Sequence, residues 1–549
     1  MSHLPERGAR APGARTGSEG AWRIEGEAPI KVVDIELGAP LVAIEGLEGY
    51  GGVRALVRLH GAPVGYVDAP VTDGVCTGRR MGEAIFSRHG LVMLRHLMHG
   101  GLAAPRSPRT WALERLLNEV PLAYAGVLPK VTVAVCTRDR PAEIAGCLAS
   151  LAQLDYPSVD ILVIDNAPSC DATERLIRSD HPAVRHVREP RPGLNWARNR
   201  AILEARGDII AYTDDDVRVD RGWLRALATV FAEHPEVAAV TGLVAPHELE
   251  TEAQRRFEAY REGQQSFERE WFSADLTRRG PLAPRLGNTS RLGMGANMAF
   301  RREVFGVIGA FDPALDVGTA SHAGGDLDMF FRVLKAGCSL VYEPRAIAWH
   351  RHRRDSAGLE AQLFNWSCGM YAYMMRSAYA YRDESAAFFG LAFWLLGSWY
   401  VPRLARSLAR ESDLLPLTLA EVHGSVSGFR AYSRARHEAA IIADRFGALG
   451  PFLEGSSFTA NYTGDRQRVT RRIDLHYPLQ ALTDLVDSSS VGVLVERNGS
   501  AVGRADIANH RRSISVARLS DAIARSLPLS AYGLDQDRGL MELRRWLLT

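Results

Sequence analysis

Between residues 128 and 355, short apolar runs alternate with helical patterns, and several of those runs stop at a polar side chain. Residues 131–136 read as a strand ending at Thr137, 160–164 as a strand ending at Asp165, and 208–212 as a strand running into Thr213 and the acids Asp214, Asp215 and Asp216. Helices are predicted over 141–151, 172–178 and 196–205, with a further strand over 184–187. Such alternation predicts a parallel, doubly wound α/β sheet. Ligands bind such sheets at the carboxyl ends of the strands, where Thr137, Asp165 and the acid triplet fall. Three adjacent carboxylates at a strand end repel one another unless a cation neutralises them. A hard divalent ion, Mg²⁺ or Mn²⁺, carrying a nucleotide diphosphate would do so; the alternative is a solvated acidic turn.

The whole chain sets outer bounds. Its 549 residues correspond to roughly three or four domains. A formal net charge of +2 argues against bulk affinity for nucleic acid, so any basic site must be local. The six cysteines show no CxxC spacing and lie in apolar segments, as expected of reduced packing residues in a cytoplasmic protein. Residues 1–27, rich in Arg, Gly, Pro and Ser, read as a disordered lead-in rather than a secretory signal. Residues 385–402 carry no charge for 18 positions and precede Arg403, Arg406 and Arg410. This is the lower limit for a spanning helix. A buried core helix is the expectation. An interfacial helix, with peripheral contact at the inner face of the cell membrane, is the alternative.

The flanks resemble each other. VRALVRLHGAPVGYVD (53–68) matches VGVLVERNGSAVGRAD (491–506), and the register continues to Arg80, Ala84 and Ile85 against Arg518, Ala522 and Ile523. Upstream, Val33-Asp34-Ile35 matches Ile473-Asp474-Leu475 after a two-residue adjustment. The shared turns at Gly61 and Gly499 predict β-hairpins, each followed by a helix. The expected organisation is a small β-rich module at 28–100, a linker at 101–127 and an α/β domain at 128–355. A helical region at 356–467 and a second β-rich module with a tail at 468–549 complete it.

The central segment, about 131–352, resembles the family 2 glycosyltransferases, which have the GT-A fold. The motifs, in order, are Cys136-Thr137-Arg138-Asp139-Arg140, Val163-Ile164-Asp165-Asn166 and Gly193-Leu194-Asn195-Trp196-Ala197-Arg198-Asn199. Asp214-Asp215-Asp216, Gly295-Ala296-Asn297-Met298-Ala299-Phe300-Arg301, Gly325-Asp326-Leu327-Asp328 and Trp349-His350 follow. The resemblance implies that Asp214 and Asp216 form the metal-binding pair for Mn²⁺ or Mg²⁺, with Asp216 the direct ligand and Asp215 either near the ribose or behind the metal's own ligands. It places Asp165 at the nucleotide base, where a helix N-cap is the competing role. Thr137, Arg138, Asn166 and Arg198 join Asp214 and Asp215 as nucleotide-sugar contacts. His350 either completes the metal shell or belongs to a solvated basic turn.

Transfer to a hydroxyl needs a general base, and Asp326 matches that position. Family members more often have Glu-Asp there; here Gly325 replaces the Glu. Asp328 is read as a helix-start carboxylate. The implied activity is an inverting glycosyltransferase of hexosyltransferase type, acting on a glycan, lipid-linked or small-molecule acceptor. The alternatives are a nucleotidyltransferase, disfavoured because TRDRPAEI after Cys136 lacks Gly and Lys, and a glycan-binding or assembly protein using the flanking modules.

Overall fold

The computed structural model describes residues 28–103, 113–118, 124, 126–261, 266–274, 283–409, 414–450, 468–485, 488, 490–509, 513–532 and 535–548. The expected lead-in at 1–27, most of the 101–127 linker and Arg410 lie outside the described residues.

The first sheet holds β1 (Ile30–Glu36), β2 (Gly52–Leu59) and β3 (Ala62–Pro70). β1 runs parallel to β2, and β2 pairs antiparallel with β3 through a two-residue turn. Both turn residues, His60 and Gly61, have positive φ (55° and 76°), as a type I′ hairpin turn demands. Helix α1 (Gly78–Ala103) follows.

The central sheet is built from β4 (Val131–Thr137), β5 (Val159–Asn166), β6 (Arg185–Glu189), β7 (Ile209–Asp214), β8 (Val217–Val219), β9 (Val237–Pro246), β10 (Glu270–Ser273), β11 (Asn297–Arg301) and β12 (Ser339–His350). Their order is β10-β12-β9-β11-β7-β4-β5-β6, with β8 paired to β12. β4, β5, β6 and β7 are mutually parallel, as are β9 and β12. β11 runs antiparallel between β7 and β9, which the strand–helix alternation did not foresee. The class is nonetheless the expected one, α/β with a mainly parallel sheet.

Alternation along each strand divides the core into two layers. Val131, Val133 and Val135 of β4 pack with α2 (Pro141–Leu151) and α5 (Trp223–Glu233). Ala134 faces the other side with α4 (Leu194–Glu204) and α6 (Gly325–Lys335). Helix α3 (Ala172–Asp180) is the remaining crossover, between β5 and β6. Because these strands are covered on both faces, they read as unbroken apolar runs.

Beyond the sheet come α7 (Ser356–Ala380), α8 (Ser385–Ala409) and α9 (Leu415–Phe446). Helix α8 contains a π-helical turn at Leu396–Tyr400. The expectation of a buried core helix here is wrong: only 17% of its most apolar window is buried. Phe388, Ala392, Leu395 and Tyr400 meet the neighbouring helices, while Phe393 and Trp394 are each 61% exposed.

The third sheet holds β13 (Arg468–Asp474), β14 (Ser490–Arg497) and β15 (Ser500–Ala508), followed by α10 (Val516–Ser526) and α11 (Gln536–Leu548). Its pairing has the same spacings as the first sheet. Ile30 pairs with Gly52 and Arg468 with Ser490; the bulge follows Val57 in one and Val495 in the other. The two-residue adjustment read upstream is therefore unnecessary, and Glu36, not Asp34, is the counterpart of Asp474. Glu36 accepts the His60 and Gly61 N–H groups at 3.0 and 2.8 Å, and Asp474 accepts those of Asn498 and Gly499 at 3.2 and 3.0 Å. The two sheets share one hydrophobic core, which includes Val53 and Val57, Val491 and Val495, and Leu519 and Leu543.

Candidate active site

β4, β5, β7, β9 and β12 point the same way, so Thr137, Asp165, Asp214 and His350 emerge on one edge of the sheet. The carboxylates of the triplet diverge there. Asp215 turns inward, accepting from Thr137 Oγ1 at 2.7 Å and from Arg140. Asp216 accepts from Arg140 Nη2 at 3.1 Å and lies 3.4 Å from His350 Nε2. His350 is the last residue of β12 and only partly exposed, so it is not part of a solvated turn. Beside Asp216 lies a shallow hollow lined in part by Arg218, His247 and Arg351.

These partners split the acids electrostatically. Burial, then the charge of Asp216, raises Asp214 to about 6 against the pull of Arg198 and His350. Burial also raises Asp215 to about 7 despite Arg140 and Thr137. Burial acts on Asp216 in the same direction, but His350 and Arg140 hold it well below the usual carboxylate range. The charged form of Asp216 is thus the one the fold preserves.

Among the described residues, no cluster of three His, Cys, Asp or Glu side chains could by itself hold a metal ion. What the site offers is one carboxylate and one imidazole 3.4 Å apart, with Asp214 electrostatically coupled to them. That set fits a hard divalent cation that takes its other ligands from water and substrate phosphates.

A second group forms around Arg198 on α4. Its Nη1 donates to Asp316 Oδ2 at 2.6 Å and to Asn195 Oδ1 at 3.2 Å, and Asp214 and Asp326 are within its electrostatic reach. Asp326 opens α6, where its Oδ2 accepts the Gly295 N–H and its Oδ1 the Leu327 N–H, both at 2.8 Å. A Cβ at Gly295 would come within 2.8 Å of Arg198 Nη2 and would displace that guanidinium. Burial, then Asp316, pushes the Asp326 pKa up, opposed by Arg198 and the two N–H groups.

The remaining predicted residues lie apart from these groups. Asp165 is fully buried; Oδ2 lies 3.2 Å from His186 Nε2, and Oδ1 has no hydrogen-bond partner among the described residues. Its alternative role as a helix N-cap is excluded, because α3 starts at Ala172 with Asp171 before it. Asn166 holds the loop ahead of α4, donating to Arg191 O at 2.7 Å and accepting from Gly193 N at 3.0 Å. Arg138 is exposed beside Asp139 at 3.8 Å. Asp328 is not merely a helix-start charge: it is fully buried between Arg332 at 2.7 Å and Arg376 at 3.0 Å.

Two residues escaped sequence reasoning. Arg140 closes the pentapeptide that begins at Cys136, a signal that was available. Asp316 carried none, since only the fold brings it to Arg198. It takes a left-handed backbone (φ 79°), and its Oδ2 lies 2.5 Å from where a Cβ of residue 325 would stand.

Residues 132–309 match the family model for glycosyl transferase family 2. The chain is 27% identical over 225 residues to the pre-mycofactocin glycosyltransferase of Mycobacterium tuberculosis, covering 41% of this chain and 43% of that protein. It is also 27% identical over 247 residues to the succinoglycan biosynthesis protein ExoM of Rhizobium meliloti, covering 42% and 72%. Residues 132–309 are a family 2 glycosyltransferase segment. The chain spans less than half the length of the mycobacterial relative. A solved structure, the mannosyltransferase PcManGT of Pyrobaculum calidifontis in complex with GDP-Man and Mn²⁺, aligns at TM-score 0.36 and 18% identity, covering 67% of this chain and 98% of that one. The family match ends before Asp316 and Asp326. The departure from Glu at 325 also has a local reason: a side chain there would collide with Asn195 Nδ2 and Asp316 Oδ2, each 2.5 Å from its Cβ.

Proposed function

We propose that the protein is an inverting glycosyltransferase that moves a sugar from a nucleotide-diphospho-sugar to an acceptor hydroxyl on a glycan, a lipid-linked intermediate or a small molecule. The observation that carries this reading is the buried Arg198, which donates to Asp316 at 2.6 Å and lies within electrostatic reach of both Asp214 and Asp326. It joins the acidic strand end, suited to a diphosphate and its cation, to a carboxylate suited to a proton.

In this reading Asp165 receives N–H donors of the nucleotide base, a role that its unpartnered Oδ1 supports. Thr137 and Arg140 fix Asp215, so that Asp216 and His350 face the diphosphate. A divalent ion, Mn²⁺ or Mg²⁺, held by Asp216 and His350 with Asp214 beside them, would supply positive charge for the leaving diphosphate. The acceptor oxygen attacks the anomeric carbon as the bond from that carbon to the diphosphate oxygen breaks. Asp326 takes the acceptor proton, since two accepted N–H groups leave lone pairs on both of its oxygens.

The test is a panel of nucleotide sugars with Mn²⁺, scored for binding, transfer and slow donor hydrolysis. Asp326→Asn is expected to lower transfer on the order of 10²–10⁴-fold while nucleotide-sugar binding is retained. Chelation of the metal is expected to stop turnover. Full transfer by Asp326→Asn removes the assigned base, and full activity after chelation removes the metal role of Asp216.

A further inference from the structure

The first 18 residues of helix α8, 385–402, are uncharged around the whole circumference but, among the described residues, are packed on one side only. Phe388 stacks edge-on against Phe331 of α6 and Tyr373 of α7, with ring centroids 4.9 and 5.7 Å apart. The open side presents Trp394 (61% exposed), Trp399 (48%), Val401 (53%) and Leu408 (57%). A helix that is hydrophobic all round belongs in a protein core or against lipid, and this one is half out of the core. Its neighbour α9 adds exposed Leu419 and Val426. Exposed apolar surface of this kind marks an interaction site.

We propose that this face seats the protein on the surface of a bilayer bearing anionic headgroups. The charges point to lipid rather than to a second copy of the chain. Residues 385–409 contain no acid, and although Arg403 pairs with Glu421 at 3.9 Å, the exposed Arg406 would meet no opposite charge from the same stretch of a second copy. Tryptophans at the rim match the headgroup layer, where an apolar ring with one N–H donor is best accommodated. Arg403 lies over the rings of Tyr260 and Trp399 at 4.4 and 5.3 Å, keeping its stem on the apolar face. Arg406 is exposed, as are Arg430 and Arg436 of α9. The helix lies along the membrane rather than across it, because its other side is locked to α6 and α7. The same packing ties the seated helix to α6, which opens with Asp326.

The inference does not depend on the proposed catalytic role, and its test needs no turnover. The full chain is floated on a density gradient with phosphatidylcholine vesicles, with or without about 30% phosphatidylglycerol, at low and high salt. The parent is expected to rise with the anionic vesicles and less so at high salt. Trp394→Glu/Leu408→Glu, checked by its melting curve, is expected to lose at least about tenfold in partitioning. Arg406→Glu is expected to lose the preference for anionic lipid while still binding weakly. Absence of flotation with either vesicle overturns the proposal. So does equal flotation of the parent with Trp394→Glu/Leu408→Glu, or with Arg406→Glu should the double variant fail to fold. A parent that forms a dimer split by these substitutions reassigns the face to self-association.

Discussion

Asp326 accepts two backbone N–H groups, which favour its charged form, yet burial and Asp316 outweigh them and move its pKa upward. A general base gains strength as its pKa approaches the working pH. The acid limb of the pH–rate profile is therefore expected above the ordinary carboxylate range. Asp316→Asn removes the nearby negative charge and leaves Arg198 freer to act on Asp326, so the limb should move to lower pH. A profile that does not move would show that Asp316 merely anchors Arg198. At this scale the sequence was legible for position, placing Asp165, Asp214 and His350 at or beside the carboxyl ends of strands. Asp316 was illegible because its partner, Arg198, lies 118 positions away.

Helix α6 is held by more than the apolar layer beneath it. Asp328 is buried between Arg332 and Arg376, and Arg376 continues to Asp312 at 3.4 Å, which accepts from Tyr432 Oη at 2.9 Å. This chain ties α6 to α7 and α9. Removing one member of a buried ion group leaves an uncompensated charge, so Asp328→Ala should cost about 3–5 kcal/mol in urea unfolding. A loss below about 1 kcal/mol would place these charges in contact with water. Helix boundaries around α2 and α3 followed from periodicity, because a repeating apolar face is a local property. Helix α8 shows the limit: an uncharged run reports an aversion to water but not what covers it.

The flanking sheets form one body through a common core and grip the central domain with buried charges. Asp521 of α10 reaches across to accept from Trp271 Nε1 at 3.0 Å and to lie 3.5 Å from Arg269, with His99 of its own body 2.9 Å away, and within the central domain Arg269 also pairs with Glu343 of β12 at 2.5 Å. Burial would raise both carboxyls. Instead, Arg269 and Arg345 bring Glu343 down to about 2, and Arg269, His99 and Trp271 hold Asp521 far below its usual range. Both groups bind protons less readily folded than unfolded. Their support is present above an unfolded pKa of about 4 and is lost as the pH falls from there toward 2. Denaturant midpoints should drop below about pH 4.5, less steeply in Asp521→Asn; equal acid slopes in parent and variant would rule this out. The sequence by itself determined the α/β alternation, the strand-end acids and the hairpins at Gly61 and Gly499, since each depends on how a short segment meets water and turns. Tertiary structure alone decided the antiparallel β11, the sharing of Arg198 by Asp214, Asp316 and Asp326, and the open face of α8. These depend on which distant segments come together, and no local pattern of apolar and polar residues encodes that.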